Sequence, residues 1–155
     1  MIVWLTPDDV PDSFNWDWAQ KIRSRDDLPN CHEFSVMAQS MTQGLMQVSF
    51  PFPARASGAL GGSVLYVEYL EVAPWNQPVA GSPQFKGVGA ALMTAAIKLS
   101  RDKGFAGCIG LHSLPRAEGF YARLGPENLD VDQACDGLSY FEFTADAAKP
   151  FLELE

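Results

Sequence analysis

A chain of 155 residues with 47% hydrophobic and 19% charged residues has the composition of an ordinary globular protein. It is long enough to bury a core of its own, so we expect a single domain over residues 1–155. Nineteen acidic residues against eleven basic ones give a net charge of −8. Because nucleic-acid binding depends on clustered Lys and Arg, this charge argues against nucleic acid as a partner and favours a cationic one, such as an amine.

The cysteines argue for a reducing compartment. Cys31, Cys108 and Cys135 are odd in number and lie in no metal-ligand spacing, so we expect neither disulfides nor a bound metal. The apolar residues at the start of the chain are too few for a signal sequence or a membrane span. The sequence therefore predicts a cytoplasmic protein with no membrane partner.

The first half of the chain predicts one helix and a hairpin. In chain order, the expected elements are a short strand at 2–5, a helix from 12 or 13 to about 25, a strand at 34–38, a hairpin turn at 40–44, a partner strand at 46–50 and a mobile connection at 51–62. The assignments rest on apolar residues one turn apart in the helix and on alternation in the strands.

The second half alternates strands and helices. The expected elements are a strand at 64–72, a long stiff loop at 74–83, a helix from 88 to about 103, a strand at 105–111, a helix from 115 to 124, a polar loop at 126–136, a strand at 138–143 and a short helix capped by Thr144. This order predicts an α/β (mixed α+β) fold, in which a mixed sheet carries helices on both faces.

Two glycines, Gly87 and Gly89, stand at the start of the central helical pattern. The first backbone N–H groups of a helix have no partner within it, and that end of the helix dipole is positive. Glycine there lets a phosphate approach the main chain closely. The sequence therefore predicts an anion site, suited to a pyrophosphate, at this strand-to-helix crossing.

Two common nucleotide-binding loops fit poorly. A dinucleotide fold needs a third glycine and an acidic residue at the end of the next strand, but these positions hold Leu92 and His112. A Walker loop needs Gly-Lys-Ser/Thr after four spacers, and the sequence contains no such run. A nucleotide-binding protein that uses the turn at 87–89 stays as one alternative.

Three segments of the sequence form a recognisable set: Leu70-Glu71-Val72-Ala73-Pro74, Gln84-Phe85-Lys86-Gly87-Val88-Gly89 and Ala117-Glu118-Gly119-Phe120-Tyr121-Ala122-Arg123-Leu124-Gly125. With them the chain resembles the GNAT superfamily of N-acetyltransferases over roughly its last two thirds, and a bacterial branch of it in particular; the second segment matches the family's acetyl-CoA loop. The resemblance implies a GNAT fold, with a mostly antiparallel sheet whose strands four and five splay apart, and an acetyl-CoA-binding core over 63–125. Residues 1–30 are shorter than the corresponding part of the family, with room for one convincing helix instead of two.

The resemblance further implies how acetyl-CoA, the acetyl donor, is held. The diphosphate would lie on the main chain of the loop, and the pantetheine arm would pair with the backbone of the preceding strand. The implied binding residues are Leu70, Val72, Gln84, Phe85, Lys86, Gly87, Val88, Gly89, Ala90, Ser113, Ala117, Phe120 and Tyr121. The alternative is a glycine-rich helix start that serves packing alone. Leu114 occupies the place of an asparagine that touches the pantetheine in many relatives, which puts that contact in doubt.

Acetyl transfer to an amine needs a proton donor for the leaving thiolate and a base for the amine. By resemblance Tyr121 is the donor; the alternative is an aromatic residue that only packs. Glu68 is the first candidate for the base, directly or through a water, and Glu71 the second, because charge in a strand is unfavourable unless it is used. Each is equally compatible with a solvated strand carboxylate.

Trp75 and His112 are the candidates for contact with the acceptor. A histidine at a strand end is also compatible with a structural hydrogen bond. The acceptor would be a small-molecule or protein amine, attacked directly in a ternary complex. Dimers are frequent in the family, so the resemblance allows a homodimer. A non-catalytic acyl-CoA-binding module with the same fold is the alternative to an enzyme.

Overall fold

The computed structural model describes residues 2–4, 30–76 and 86–154, and elements are numbered in chain order within these ranges. The strands are β1 Ile2–Trp4, β2 Cys31–Ala38, β3 Met41–Pro53, β4 Ser63–Val72, β5 Ile109–Ser113, β6 Glu127–Asp132 and β7 Leu138–Phe143. The helices are α1 Val88–Asp102, α2 Glu118–Arg123 and α3 Ala145–Leu152. Within these ranges, no helix has both the length and the apolar character needed to cross a bilayer. The predicted helix at 12–25, most of the loop at 74–83, Gln84 and Phe85 lie outside the described residues.

The sheet is mixed, as the order of elements predicted, and mostly antiparallel, as the resemblance implied, with strand order β1-β2-β3-β4-β5-β7-β6. β4 and β5 are parallel, whereas β1 with β2, β5 with β7 and β6 with β7 are antiparallel. The parallel pairing joins Leu65–Val67 to Ile109–Leu111 and ends there, although β4 continues to Val72 and β5 to Ser113. The strands expected to splay apart therefore stop pairing before either of them ends.

The described residues group into two compact units. The first comprises the described residues of Met1–Val48 and Tyr69–Met93, and the second those of Ser49–Glu68 and Thr94–Glu155. The first unit buries Leu45, Met46 and Val48 of β3 together with Leu92 and Met93 of α1. In the second unit, the buried apolar side chains include Val64, Leu65, Ile97, Ile109, Phe141 and Phe143.

Several predicted boundaries are confirmed. β7 spans Leu138–Phe143 as predicted, and α1 begins at Val88. Thr144 caps α3, since its Oγ1 accepts a hydrogen bond from the Ala147 N–H at 3.2 Å. These elements are encoded locally, by alternation, by an apolar stripe and by a cap.

Three predicted boundaries are wrong. The hairpin turn is the residue pair Gln39 and Ser40, both at positive φ (53° and 62°), and not 40–44. β3 extends to Pro53, where a mobile connection was expected, and seven consecutive residues at 42–48 are buried, so their burial does not alternate. β5 begins at Ile109 instead of 105, because Ala106 and Gly107 adopt positive φ (57° and 84°) that a strand does not use.

The predicted polar loop at 126–136 is also wrong, because it contains the strand β6. β6 lies at the edge of the sheet, most of its residues are exposed, and its pairing with β7 is shifted between Asn128 and Val131. An irregular edge strand has no apolar face to bury, so its sequence carries little of the alternation that identifies a strand.

Gly44 of β3 lets α1 approach the sheet closely. A Cβ atom at this position would lie 2.6 Å from Val88 Cγ1, 3.1 Å from Leu92 Cδ1 and 3.3 Å from the Glu71 carbonyl oxygen. Valine is stiff at χ1 and the carbonyl belongs to a strand, so neither neighbour moves away easily. The start of α1 therefore rests on a strand position that has no side chain.

Gly44→Ala is expected to destabilise the protein by about 1–3 kcal/mol, because it overpacks the contact between β3 and α1. Gly58→Ala is the matched control, since a Cβ there would meet no atom within 4 Å and its φ is not positive. Urea unfolding followed by circular dichroism would measure both. Equal stability of the two variants would contradict this account of Gly44.

Candidate functional site

The N-terminus of α1 has an open backbone. The first hydrogen bond of the helix runs from the Ala91 N–H to the Gly87 carbonyl at 2.9 Å, which places the N–H groups of Val88 and Gly89 in the first turn, where the helix offers them no carbonyl. Gly87 is exposed with a φ of 76°, and a Cβ there would meet no atom within 4 Å. Lys86 beside it is exposed. No described residue therefore covers Gly87 at this positive helix end, where an anion is favoured, while Val88 and Gly89 themselves are buried.

A buried glutamine fixes the chain that follows β4. Gln43 is 2% exposed, and its Oε1 accepts hydrogen bonds from Trp75 Nε1 at 2.8 Å and Asn76 Nδ2 at 2.9 Å. The Gln43 carbonyl accepts a further bond from the Ala73 N–H at 2.8 Å. Trp75, predicted to touch the acceptor, therefore uses its only hydrogen-bond donor to hold the beginning of the loop. Contact of its ring with an acceptor stays a prediction.

The two candidate bases lie at different points of β4. Glu68 is half-buried and accepts a hydrogen bond from Ser49 Oγ at 2.8 Å. Glu71 is half-buried nearer the end of the strand, between Leu70 and Val72, which are half-buried as well. Side chains three positions apart in a regular strand point to opposite faces, so the two carboxylates are not interchangeable.

Tyr121 presents a hydroxyl that other described groups leave unengaged. Its side chain is 7% exposed and packs with the rings of Phe120 and Phe141, at centroid distances of 5.0 Å and 6.2 Å. Among the described residues, none hydrogen-bonds to its hydroxyl oxygen. Burial raises the pKa of Tyr121 to about 12, because the phenolate would lose its hydration. The phenol therefore keeps its proton at any physiological pH.

The other cofactor residues predicted in this part of the chain take local contacts. Ser113 is 1% exposed and its Oγ donates to the Leu114 carbonyl at 2.8 Å. Ala117 is the residue before α2 and is half-buried, as is Phe120. A Cβ at Gly119 would meet no described atom within 4 Å.

His112 belongs to a hydrogen-bonded chain in the second unit. Its side chain is 5% exposed, with Nδ1 2.7 Å from the Tyr66 hydroxyl and Nε2 2.9 Å from Asp132 Oδ2. Because an ionised carboxylate only accepts, Nε2 donates to Asp132, and in the tautomer with its one hydrogen there Nδ1 accepts from the Tyr66 O–H. Both ring nitrogens are thus used within the protein.

Arg55 and Glu142 extend this polar cluster. Arg55 Nη1 lies 2.6 Å from Asp132 Oδ2, and its guanidinium carbon lies 4.4 Å from the centre of the Tyr140 ring. Hydrogen bonds from Arg55 and His112 hold the pKa of Asp132 well below its usual range. Glu142, fully buried, accepts from the Arg55 and Ala56 N–H groups at 2.8 and 3.0 Å and from the Tyr140 hydroxyl at 2.7 Å.

Cys135 completes a group of three different donors. His112, Asp132 and Cys135 bring a ring nitrogen, a carboxylate oxygen and a thiol within 4.8 Å of one another. Burial and the neighbouring Asp132 carboxylate raise the pKa of the Cys135 thiol. An open groove of about 330 Å³ adjoins the group, and its lining includes Arg55, Asp132, Gln133 and Tyr140. The sequence did not indicate this cluster, because His112 lies twenty positions before Asp132 and twenty-three before Cys135.

Comparisons with known proteins give similarity of fold. No protein-family model matches the chain, and no curated protein matches it in sequence. An acetyltransferase from Desulfovibrio desulfuricans assigned to the GNAT family is similar in structure, with a TM-score of 0.63, 14% identity, and coverage of 94% of this chain and 99% of that one. The chain has the GNAT acetyltransferase fold.

Two further structures extend the comparison. PaiA N-acetyltransferase from Thermoplasma acidophilum, in complex with coenzyme A, matches this chain with a TM-score of 0.62 and 15% identity, over 92% of this chain and 96% of that one. A chain of the KacTA–DNA complex matches with a TM-score of 0.69 and 14% identity, over 100% of this chain and 99% of that one.

These comparisons correct one prediction. The net charge was taken to exclude nucleic acid as a partner, but GNAT-fold chains of the KacTA–DNA complex and of an AtaT–AtaR complex bound to DNA match this chain over nearly its whole length. The exclusion is wrong because net charge is a sum over the whole surface. It describes neither a single patch nor the charge of an assembly that includes other chains.

Proposed function

We propose that this chain is an acetyl-CoA-dependent N-acetyltransferase that transfers an acetyl group to an amine by direct attack in a ternary complex. The observation that carries the proposal is the open N-terminus of α1, where exposed Gly87 at positive φ precedes the first-turn amides of Val88 and Gly89. A GNAT-fold neighbour was solved with coenzyme A, whose diphosphate is the kind of anion that such a helix end binds.

Acetyl-CoA, the acetyl donor, would be held mainly by backbone groups. The N–H groups around Gly87, Val88 and Gly89 would hold the diphosphate, with Lys86 alongside, and the described residues leave the space over Gly87 open for it. The resemblance adds Gln84, Phe85 and Ala90 to this loop. It also assigns the pantetheine arm to the backbone of Leu70 and Val72 and to Ser113, Ala117 and Phe120.

Proton transfer is assigned to side chains. Tyr121 would protonate the leaving thiolate, a role favoured by its unengaged hydroxyl and by a pKa of about 12 that keeps it protonated. Glu68 would accept the proton of the amine, directly or through a water, with Ser49 orienting one of its oxygens. Glu71 is the second candidate. No covalent enzyme intermediate is required.

The acceptor is an amine, from a small molecule or a protein. Trp75 and His112 are proposed to border it, His112 as a positioning group because both of its nitrogens are already engaged. A thiol-release assay with acetyl-CoA and a panel of polyamines, aminoglycosides and lysine peptides tests the activity. Tight binding of acetyl-CoA with no amine that releases CoA above background would favour a non-catalytic acyl-CoA-binding module instead.

A second candidate function is that of a component of an assembly with a partner protein and DNA. The toxin structures favour it, because in them the GNAT-fold chain belongs to such an assembly. The AtaT toxin was solved with its antitoxin AtaR, and both KacTA and AtaT–AtaR were solved with DNA. With a net charge of −8, this chain would contact DNA mainly through a basic partner protein. Crosslinking of a tagged chain in its native cell, followed by recovery of bound protein and DNA, tests this function. If neither a partner protein nor DNA is recovered, the function is contradicted.

Tyr121→Phe is expected to lower kcat by about 10²-fold or more while leaving the affinity for acetyl-CoA nearly unchanged. The physical reason is that the hydroxyl acts only when thiolate charge develops, whereas the ring keeps its contacts with Phe120 and Phe141. Steady-state kinetics and calorimetry with acetyl-CoA would measure the two effects. An equal loss of binding and turnover would refute the role.

Gly89→Val is expected to weaken acetyl-CoA binding about tenfold or more, because a branched side chain in the first turn of α1 obstructs the approach of the diphosphate. The matched probe is acetyl-pantetheine, which carries the same thioester without the diphosphate, and its affinity should not change. Calorimetry with both donors checks this. Parallel losses for the two donors would indicate general damage to the fold, and unchanged acetyl-CoA affinity would rule out the assignment.

Glu68→Gln is expected to lower kcat/KM strongly near neutral pH and less at alkaline pH, where the amine is already deprotonated in solution. Glu71→Gln is the matched variant, on the same strand and of the same size, and should retain most activity. pH–rate profiles of both variants would decide between them. The reverse order of effects would move the base to Glu71.

A further inference from the structure

We propose that His112, Asp132 and Cys135 form a binding site for a divalent transition-metal ion of the zinc class. The three donor atoms lie within 4.8 Å of one another, and each residue is partly buried. Tetrahedral metal sites need donors about 3–4 Å apart, given metal–ligand bonds of about 2.0–2.3 Å. A contraction of about 1 Å would therefore suffice to close the site.

The backbone brings the three residues together. Asp132 caps the 3₁₀ turn Gln133–Cys135, and its Oδ1 accepts a hydrogen bond from the Ala134 N–H at 3.1 Å, which keeps its carboxylate beside the turn that carries Cys135. His112 reaches them across β7, because it pairs with Tyr140 while Asp132 of β6 pairs with Leu138. The Gly137 N–H donates to the Asp132 carbonyl at 3.0 Å and closes the turn.

The donor set selects the class of metal. An imidazole, a carboxylate and a thiolate suit zinc and its neighbours in the first transition row, whereas Mg²⁺ and Ca²⁺ prefer sites made of oxygen. Three protein ligands leave one coordination position for water or a ligand. The site therefore should discriminate between Zn²⁺ or Co²⁺ and Mg²⁺.

The surrounding contacts suit a ligating histidine. Metal-ligating histidines generally use the second ring nitrogen in a hydrogen bond, and here Nδ1 faces the Tyr66 hydroxyl at 2.7 Å. On binding, the ring hydrogen moves from Nε2 to Nδ1, which then donates to the Tyr66 oxygen. Cys135 releases one proton to solvent and binds as thiolate, so one proton is released for each metal bound.

Arg55 competes for the site. Its Nη1 lies 2.6 Å from Asp132 Oδ2, so a metal at that oxygen must displace the guanidinium. The side chain of Arg55 is 40% exposed and already rests on the Tyr140 ring, and the adjoining groove of about 330 Å³ gives it room to move and gives the ion a route to Asp132. Removal of this positive charge should therefore strengthen metal binding.

The test uses Co²⁺ as a spectroscopic probe, followed by Zn²⁺ competition. The purified wild-type chain should bind one Co²⁺ with a thiolate-to-cobalt charge-transfer band in the near ultraviolet, and Zn²⁺ but not Mg²⁺ should abolish it. Cys135→Ser should lose the band, and His112→Gln should weaken Co²⁺ binding about tenfold or more. Cys31→Ser, a half-buried cysteine outside the cluster, should behave as wild type.

Arg55→Gln is expected to bind Co²⁺ more tightly than the wild type, because it removes the guanidinium that competes with the metal for Asp132. Circular dichroism of each variant checks that it is folded. A band that survives in Cys135→Ser, a band lost in Cys31→Ser, or no Co²⁺ binding by the wild type would each overturn the proposal. None of these readouts involves acetyl-CoA, so the result is independent of the proposed transferase activity.

Discussion

The absence of a side chain at Gly44 determines where the central helix begins. A Cβ on this β3 residue would lie 2.6 Å from Val88 Cγ1 and 3.3 Å from the Glu71 carbonyl oxygen. Only a glycine lets the first turn of α1 lie this close to β3 and the end of β4. Gly87 is exposed at positive φ beside the proposed anion site, but Gly44, more than forty positions earlier, places that backbone. The proposed diphosphate site thus depends on packing as much as on its own loop.

A buried carboxylate organises the second unit in a comparable way. Glu142 is fully buried, and such a charge is tolerated only when hydrogen bonds compensate its lost hydration. Three donors do so, two of them the backbone N–H groups of Arg55 and Ala56. This fixes the backbone of Arg55 beside Tyr140, from where its side chain reaches Asp132. The polar side chains from Glu142 through Arg55 and Asp132 to His112 therefore form one connected network. The position of each depends on the position of the next.

The sequence predicted what is encoded locally. The bounds of β7, the start of α1 and the Thr144 cap all follow from residues within a few positions of one another. β6 was missed because its sequence, ENLDVD, is polar and lies at an exposed edge. Gly44 was missed because packing of α1 on β3 joins residues that are far apart in the chain, and the cluster of His112, Asp132 and Cys135 was missed because strand register does the same. Most of the GNAT residue assignments came from resemblance, and the physical contacts of Glu68, Trp75 and His112 became visible only in three dimensions.

Burial of Tyr121 sets a condition on the proposed chemistry. A phenol with a pKa of about 12 is a weaker acid than a free thiol, whose pKa is near 8.5, so protonation of a fully hydrated thiolate by Tyr121 would be unfavourable. Burial raises the pKa of a thiol for the same reason that it raises that of the phenol. Proton transfer therefore becomes balanced only when the thiolate forms in an equally water-poor environment. A catalytic Tyr121 thus requires that bound acetyl-CoA exclude water from the Tyr121 hydroxyl. The acceptor amine must then enter this environment already neutral, or lose its proton to a carboxylate outside it.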